Sequence, residues 1–135
     1  MITKTYKDIS EEKFYKLYFD LVNVLKPTDQ ITYTEALVLT EFLLLKEEKY
    51  KHARFAARAK KEVIKTLQEK HGKKVSMTYM AVILANLENK GWIEKEPDGI
   101  KYFNKKHQAV VDRILTNQDY EEIIFKLKVK QDNEH

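Results

Sequence analysis

Residues 76–103 read SMTYMAVILANLENKGWIEKEPDGIKYF. Ser76 is a helix-capping residue type, and Met80, Ile83, Leu84 and Leu87 follow at a spacing that gathers them on one face at about 100° per residue. Gly91 stops the pattern, as glycine does just past a helix end. The period then changes to two. Trp92 and Ile93 open a strand, Glu96-Pro97-Asp98-Gly99 makes a turn, and Ile100 to Phe103 returns. Pro97 pre-sets the first central turn position, and Gly99 takes the positive φ of a bulged hairpin turn. The stretch therefore predicts a helix followed at once by a two-stranded hairpin.

Upstream, Phe55, Val63, Ile64 and Leu67 give a narrow apolar stripe, which predicts an amphipathic helix with its Lys/Arg side in water. It ends near His71-Gly72, and only the polar HGKKVS connection separates it from Ser76. Two helices joined by so short a turn form a helix-turn-helix arrangement. Thr32 and Glu35 have capping-box spacing ahead of a helix from about Tyr33 to Lys46. Ala36, Leu37, Val38, Leu39, Phe42, Leu43, Leu44 and Leu45 leave that helix few polar faces. We read it as the central buried helix, with no polar group converging on it.

Towards the ends, Ile2, Lys4 and Tyr6 alternate with Thr3, Thr5 and Lys7, which predicts a short strand. Ser10 caps a helix with Glu11 and Glu12 in its first turn, where the dipole favours them. Its two apolar stripes are Phe14, Leu17, Tyr18, Leu21, Leu25 and Tyr15, Phe19, Val22, so it should be contacted from two sides. Pro27 and the PTDQ stretch end it. Asn104 caps a helix around Lys105 to Leu115. Ile123, Phe125, Leu127 and Val129 then alternate with Ile124, Lys126, Lys128 and Lys130 as a last strand. These lysines protect an exposed edge or lie along an acidic neighbour.

The chain has 135 residues, 43% apolar and 34% charged, which bounds it as one domain able to bury about two thirds of its unfolded surface. Within it, 1–31 hold the N-terminal strand and helix, 32–104 the core, and 105–135 the C-terminal helix and strand. With no cysteine, disulfides and thiolate metal sites are excluded. MITKTYKDISEEK carries charge where a signal peptide needs an apolar run, and the longest apolar stretch, Leu37 to Leu45, is too short to span a bilayer. The expected setting is a cytosol, or a particle assembled in one, with no membrane. The net charge of +4 is unevenly spread. Lys51 to Lys74 holds nine positive and two negative residues, +7 in all, leaving −3 for the rest. Such a field attracts polyanions or an acidic protein surface, unless it is simply a solvated helix face.

Residues 32–104, through ITYTEALVLTEFLLL, the basic helix and LANLENKGWIE, resemble the winged helix-turn-helix superfamily of the MarR-like kind. Leu87, Lys90, Gly91 and Ile93 stand as in that family's L-x-x-K-G-x-I pattern. The fold class implied is mainly α with small β: a winged helix-turn-helix with an added N-terminal helix and a short pair of N- and C-terminal strands. A second resemblance runs from Tyr18 through the central helix, the YFN ending of the hairpin (Tyr102, Phe103, Asn104) and the FKLKV strand. It is to short proteins of crAss-like tailed phages, some of which accompany virion genes and build head-to-tail rings. It carries no functional residues across.

For catalysis the sequence offers no converging groups, no catalytic residue and no cofactor. His52, His71, His107 and His135 sit in different elements, with no partner at metal-ligand spacing. His71 reads as a helix-end residue on the dipole. Three glycines at 72, 91 and 99 cannot form a phosphate loop.

Two binding readings stay open. In the first, Thr78, Tyr79, Val82, Ala85 and Asn89 on the outward face of the Ser76 helix, together with the edge strands, make contacts in a homo-oligomer and with neighbouring virion proteins. That face carries no Arg or Lys and suits protein packing. In the second, the helix enters a DNA major groove, and Thr78, Asn86 and Asn89 read bases. Phosphates or an acidic partner would meet Arg54, Arg58, Lys61, Lys65, Lys73, Lys74, Lys95 and Lys101.

Overall fold

A computed structural model describes residues 2–7, 10–26, 30–51, 53–116 and 122–127, the first and last of these segments as backbone alone. The element order is β1 (Ile2–Lys7), α1 (Glu11–Leu25), α2 (Tyr33–Leu43), α3 (Glu48–Lys51), α4 (Ala57–His71), α5 (Met77–Asn89), β2 (Ile93–Lys95), β3 (Lys101–Phe103), α6 (Lys105–Leu115) and β4 (Glu122–Leu127). The protein is mainly helical with small antiparallel pairings. Pro27, His52, the strand positions Lys128 to Lys130, and His135 lie outside the described residues.

The caps set most boundaries. Ser10 Oγ accepts from Lys13 N–H at 3.1 Å, and Ser76 Oγ from Tyr79 N–H at 3.0 Å. Thr32 and Glu35 complete a reciprocal capping box: Oγ1 accepts from Glu35 N–H at 3.2 Å, and Glu35 Oε1 from Thr32 N–H at 2.9 Å. Asn104 Oδ1 takes both Lys106 and His107 N–H at the start of α6. Gly72 closes α4 in the left-handed region at φ 64°, its N–H reaching Gln68 O while Lys73 N–H reaches Leu67 O. A side chain with a Cβ would be strained in that backbone.

The core lies around α2, with α1, α4 and α5 packed against it. Val38, Leu39, Thr40 and Phe42 are fully enclosed, and a large apolar side chain so placed contributes roughly 1.5–3 kcal/mol. The buried Thr40 hydroxyl donates to Ala36 O at 2.7 Å, which removes the cost of an unpaired polar group. Two departures from the sequence expectation follow from tertiary contacts. The helix ends at Leu43 and not near Lys46. It also carries two buried carboxylates, Glu35 and Glu41, on which cations from distant elements converge.

Helix α1 is gripped from two sides. It packs on α2, while Phe19 meets the Trp92 ring edge-on at 5.2 Å and the Tyr18 hydroxyl lies 2.6 Å from His107 Nδ1. Tyr15 and Phe19 of the second stripe are buried like Phe14 and Tyr18. Leu17 and Leu21 are half-buried and Leu25 is exposed.

The basic segment is not one helix. It breaks between α3 and α4, and Phe55 precedes α4 as a buried plug tilted on Phe42, with ring centroids 5.0 Å apart. The hairpin pairs Ile93 with Phe103 and Lys95 with Lys101. Its turn closes by Gly99 N–H to Glu96 O at 2.9 Å, with Gly99 at φ 92°. Strands β1 and β4 form a separate antiparallel ribbon whose register runs from Ile2–Leu127 to Lys7–Glu122.

Candidate functional site

The apolar stripe of α5 faces inward as its spacing requires, with Met80, Ile83, Leu84 and Leu87 all buried. Thr78, Tyr79, Val82, Ala85, Asn86 and Asn89 consequently face solvent, together with Ala81. Met77, Tyr79 and Val82 are 42%, 46% and 49% exposed, large apolar side chains from the first turn to the middle of the helix, with Glu88 at the margin of the face paired to Lys101.

Each side of α5 carries an apolar trough. Towards the hairpin tip, a groove of about 420 Å³ has Phe55 and Leu84 in its floor, Ala81 and the half-exposed Ile100 in its walls, and Lys60 and Lys101 on it. Beside the N-terminus of α5, a shallower one of about 620 Å³ is formed by Ile64, Val75 and Tyr79 with Lys65 and Lys74. No carboxylate lines either trough among the described residues.

The expected cations divide sharply. Arg58, Lys61, Lys65, Lys74 and Lys95 are exposed, and with the half-buried Lys60 they make no ion pair among the described residues. Arg54 does not belong with them. Its Nη1 donates to Phe42 O at 3.0 Å and Leu45 O at 3.4 Å, so it braces the carbonyls at and just past the end of α2. Burial there pulls its guanidinium below the ordinary value. Lys73 turns to Thr34 Oγ1 at 3.3 Å, and Lys101 bridges Glu88 at 3.0 Å. Lys51 pairs with Glu48 on α3.

Charged groups do converge elsewhere, contrary to the sequence expectation. Lys70 Nζ lies 2.7 Å from Glu12 Oε1 and 3.1 Å from the buried Glu41 Oε2, while His71 Nε2 is 3.0 Å from that same Glu41 oxygen. His71 is thus held by a carboxylate of α2 and not only by the dipole of its own helix. The ligand-type atoms of Glu12, Glu41 and His71 fall within 4.8 Å of one another, a set that could hold a metal ion. The Lys70 ammonium already lies between the two carboxylates and supplies the positive charge a metal would bring. Beside it the Glu12 carboxyl is held below its ordinary range. For Lys70, burial disfavours the charge, yet the bonds to Glu12 and Glu41 outweigh it and raise the pKa. The cluster clamps α1, α2 and α4 together. Sequence reasoning missed it because Glu41 and Lys70 are 29 positions apart.

His107 forms the other concealed constellation. Its ring stacks on Trp92 at 4.4 Å and 17°, with Phe103 at 6.1 Å and Tyr18 on Nδ1. Burial, with Lys26 nearby, lowers the histidine pKa, and burial pushes Tyr18 up to about 12. No helix among the described residues is long and apolar enough to cross a membrane. No protein-family model, no curated protein and no solved structure matches this chain.

Proposed function

We propose that α2, α4, α5 and the β2–β3 hairpin constitute a winged helix-turn-helix used as a protein-contact module. On this reading the chain is a non-enzymatic, homo-oligomeric structural subunit, of the kind that forms a head-to-tail ring in a tailed-phage virion, assembling with neighbouring virion proteins. One observation carries the protein contact: Thr78, Tyr79, Val82, Ala85, Asn86 and Asn89 on the outer face of α5 carry no charge, Glu88 at its margin being paired with Lys101, and Met77, Tyr79 and Val82 are roughly half exposed. A face meant for guanine edges presents Arg or Lys, and here none is available. Apolar and aromatic side chains without charge are the composition of an interface centre. The ring itself is drawn from the resemblance of the YFN and FKLKV segments.

Val82→Glu tests the contact. It places a carboxylate in the middle of the face without touching the core, so the monomer should stay folded by circular dichroism while the assembled mass falls to that of one chain. Unchanged mass would sink the reading. A second reading, a regulator that binds double-stranded DNA, is favoured by Arg58, Lys61, Lys65, Lys74 and Lys95, which keep their charges unpaired around α5. A chain that gains mass only when duplex DNA is added would put that reading first.

A further inference from the structure

We infer that Glu12, Glu41 and His71 form a binding site for a zinc ion, which the Lys70 ammonium holds closed until the metal displaces it. The inference is independent of the reading of α5.

Three helices bring the donors together. Glu12 comes from the first turn of α1, Glu41 from the last turn of α2, and His71 is the final residue of α4. Carboxylate oxygen and imidazole nitrogen are both zinc ligands, and the imidazole argues against magnesium or calcium, which take oxygen alone. The spacing fits as well. Zinc bonds of about 2.0–2.1 Å at the tetrahedral angle set neighbouring ligand atoms roughly 3.3–3.4 Å apart. Here His71 Nε2 lies 3.0 Å from Glu41 Oε2 and 4.0 Å from Glu12 Oε1, and the three atoms stay within 4.8 Å of one another. Glu12 makes the longer edge and is the most exposed of the three, so it is the arm with room to close. A water would complete four ligands.

Ion pairing alone leaves this cluster incomplete. Two carboxylates face one permanent cation, Lys70, whereas a divalent ion with a neutral imidazole balances both. Glu12 Oε1 is buried and meets Lys70 at 2.7 Å off the line of a hydrogen bond, and no donor among the described residues completes one. A buried carboxylate oxygen short of a donor is an atom a metal can take up. Lys70 is able to yield its place. Its side chain is 40% exposed, so the ammonium can swing into water at the modest cost of releasing a partly exposed pair. The same open side gives the ion a way in. Without metal, His71 donates Nε2–H to Glu41. Ligation takes the tautomer with its proton on Nδ1, so the ring changes tautomer and releases no net proton. Once bound, the ion ties α1, α2 and α4 through coordinate bonds and frees the Lys70 charge.

The test is a zinc titration of the full chain, without a purification tag, against a chromophoric chelator, with Co²⁺ as a spectroscopic stand-in. One equivalent should bind, Co²⁺ should give the strong visible absorption of a four-coordinate site, and the melting temperature should rise with zinc concentration. Glu12→Gln, mild because the side chain is partly exposed, and His71→Asn should each weaken binding by roughly 100-fold or more, beyond the loss of an outer-shell partner. Lys70→Met should do the reverse. It removes the competing charge and should tighten zinc by about tenfold or more, and zinc should restore its lowered melting temperature. Circular dichroism checks the folding of each variant. Absence of binding in both the wild type and Lys70→Met overturns the inference. So does binding that Glu12→Gln and His71→Asn leave unchanged, since the ion would then sit elsewhere. Magnesium or calcium binding as tightly as zinc overturns it too, because the imidazole would then take no part. A Lys70→Met chain that zinc does not restore would show that the cluster is a salt-bridge clamp and no metal site.

Discussion

Lys90 shows how one residue can serve a pattern in the sequence and a purpose in the fold that the pattern does not disclose. It stands in the LENKGWI run, where a helix gives way to a strand, and its ammonium reaches back to Glu35 Oε1 at 2.6 Å. Glu35 is also the acidic half of the capping box on α2, so one carboxylate ties the start of that helix to the end of α5. Lys90→Ala would leave a buried carboxylate with only the Thr32 N–H as partner. Because Lys90 is partly exposed, we expect a loss of about 2 kcal/mol, below the usual cost of halving a fully buried pair. A melting curve should shift down by several degrees, and an unaltered midpoint would show that Glu35 does not need the lysine. At this scale the local half of the arrangement was legible, since Thr32 and Glu35 are three positions apart. The remote half was not. Lys90, Lys70 and Arg54 reach partners 55, 29 and 12 positions away, and no spacing rule links residues that only the completed fold brings together.

Among the elements, α5 and α6 were the most legible, because their caps and periodic stripes are local facts. The stripe that placed Met80, Ile83, Leu84 and Leu87 inward fixed, by exclusion, which residues face out. The α3–α4 break was hidden, since it depends on Phe55 plugging against Phe42 and on Arg54 bracing the end of a different helix. Helix α6 is docked by Val111 and by the stacking of His107 on Trp92, which makes its attachment sensitive to acid. The folded state keeps His107 neutral and lowers its pKa beneath the ordinary 6.5, whereas the unfolded chain takes up the proton freely. Stability from this group is therefore complete above about pH 6.5 and is lost as the pH falls through the lowered folded value. Wild type should show a falling melting temperature as the pH drops below that point, and His107→Gln should flatten the slope just below it. Equal slopes in the two proteins would remove His107 from the account.

Across the whole molecule, charge is sorted by whether it is spent. Lys46, Lys49, Lys51, Lys70, Lys90, Lys101 and Lys105 are matched to carboxylates, while the cations bordering α5 are largely left unmatched. The DNA reading makes its own prediction from this sorting. Lys61→Ala and Lys65→Ala would each weaken duplex binding about equally for all sequences and lower its salt dependence, whereas Asn86→Ala would relax sequence preference. A titration at low salt that shows no duplex binding would end that reading. The sequence revealed that positive charge is concentrated in Lys51–Lys74, but not which of those charges remain free, because that depends on where the fold puts the glutamates. It also could not name a partner, whose shape is written in another chain. The β1–β4 ribbon has a further consequence. Its register sets Ile2 beside Leu127, so the first and last described segments form one mechanical unit. A strand removed at one end takes the pairing of the other with it. Tension applied through the chain beyond Ile2 and Leu127 meets the ribbon end-on, opening it pair by pair like a zip towards Lys7–Glu122.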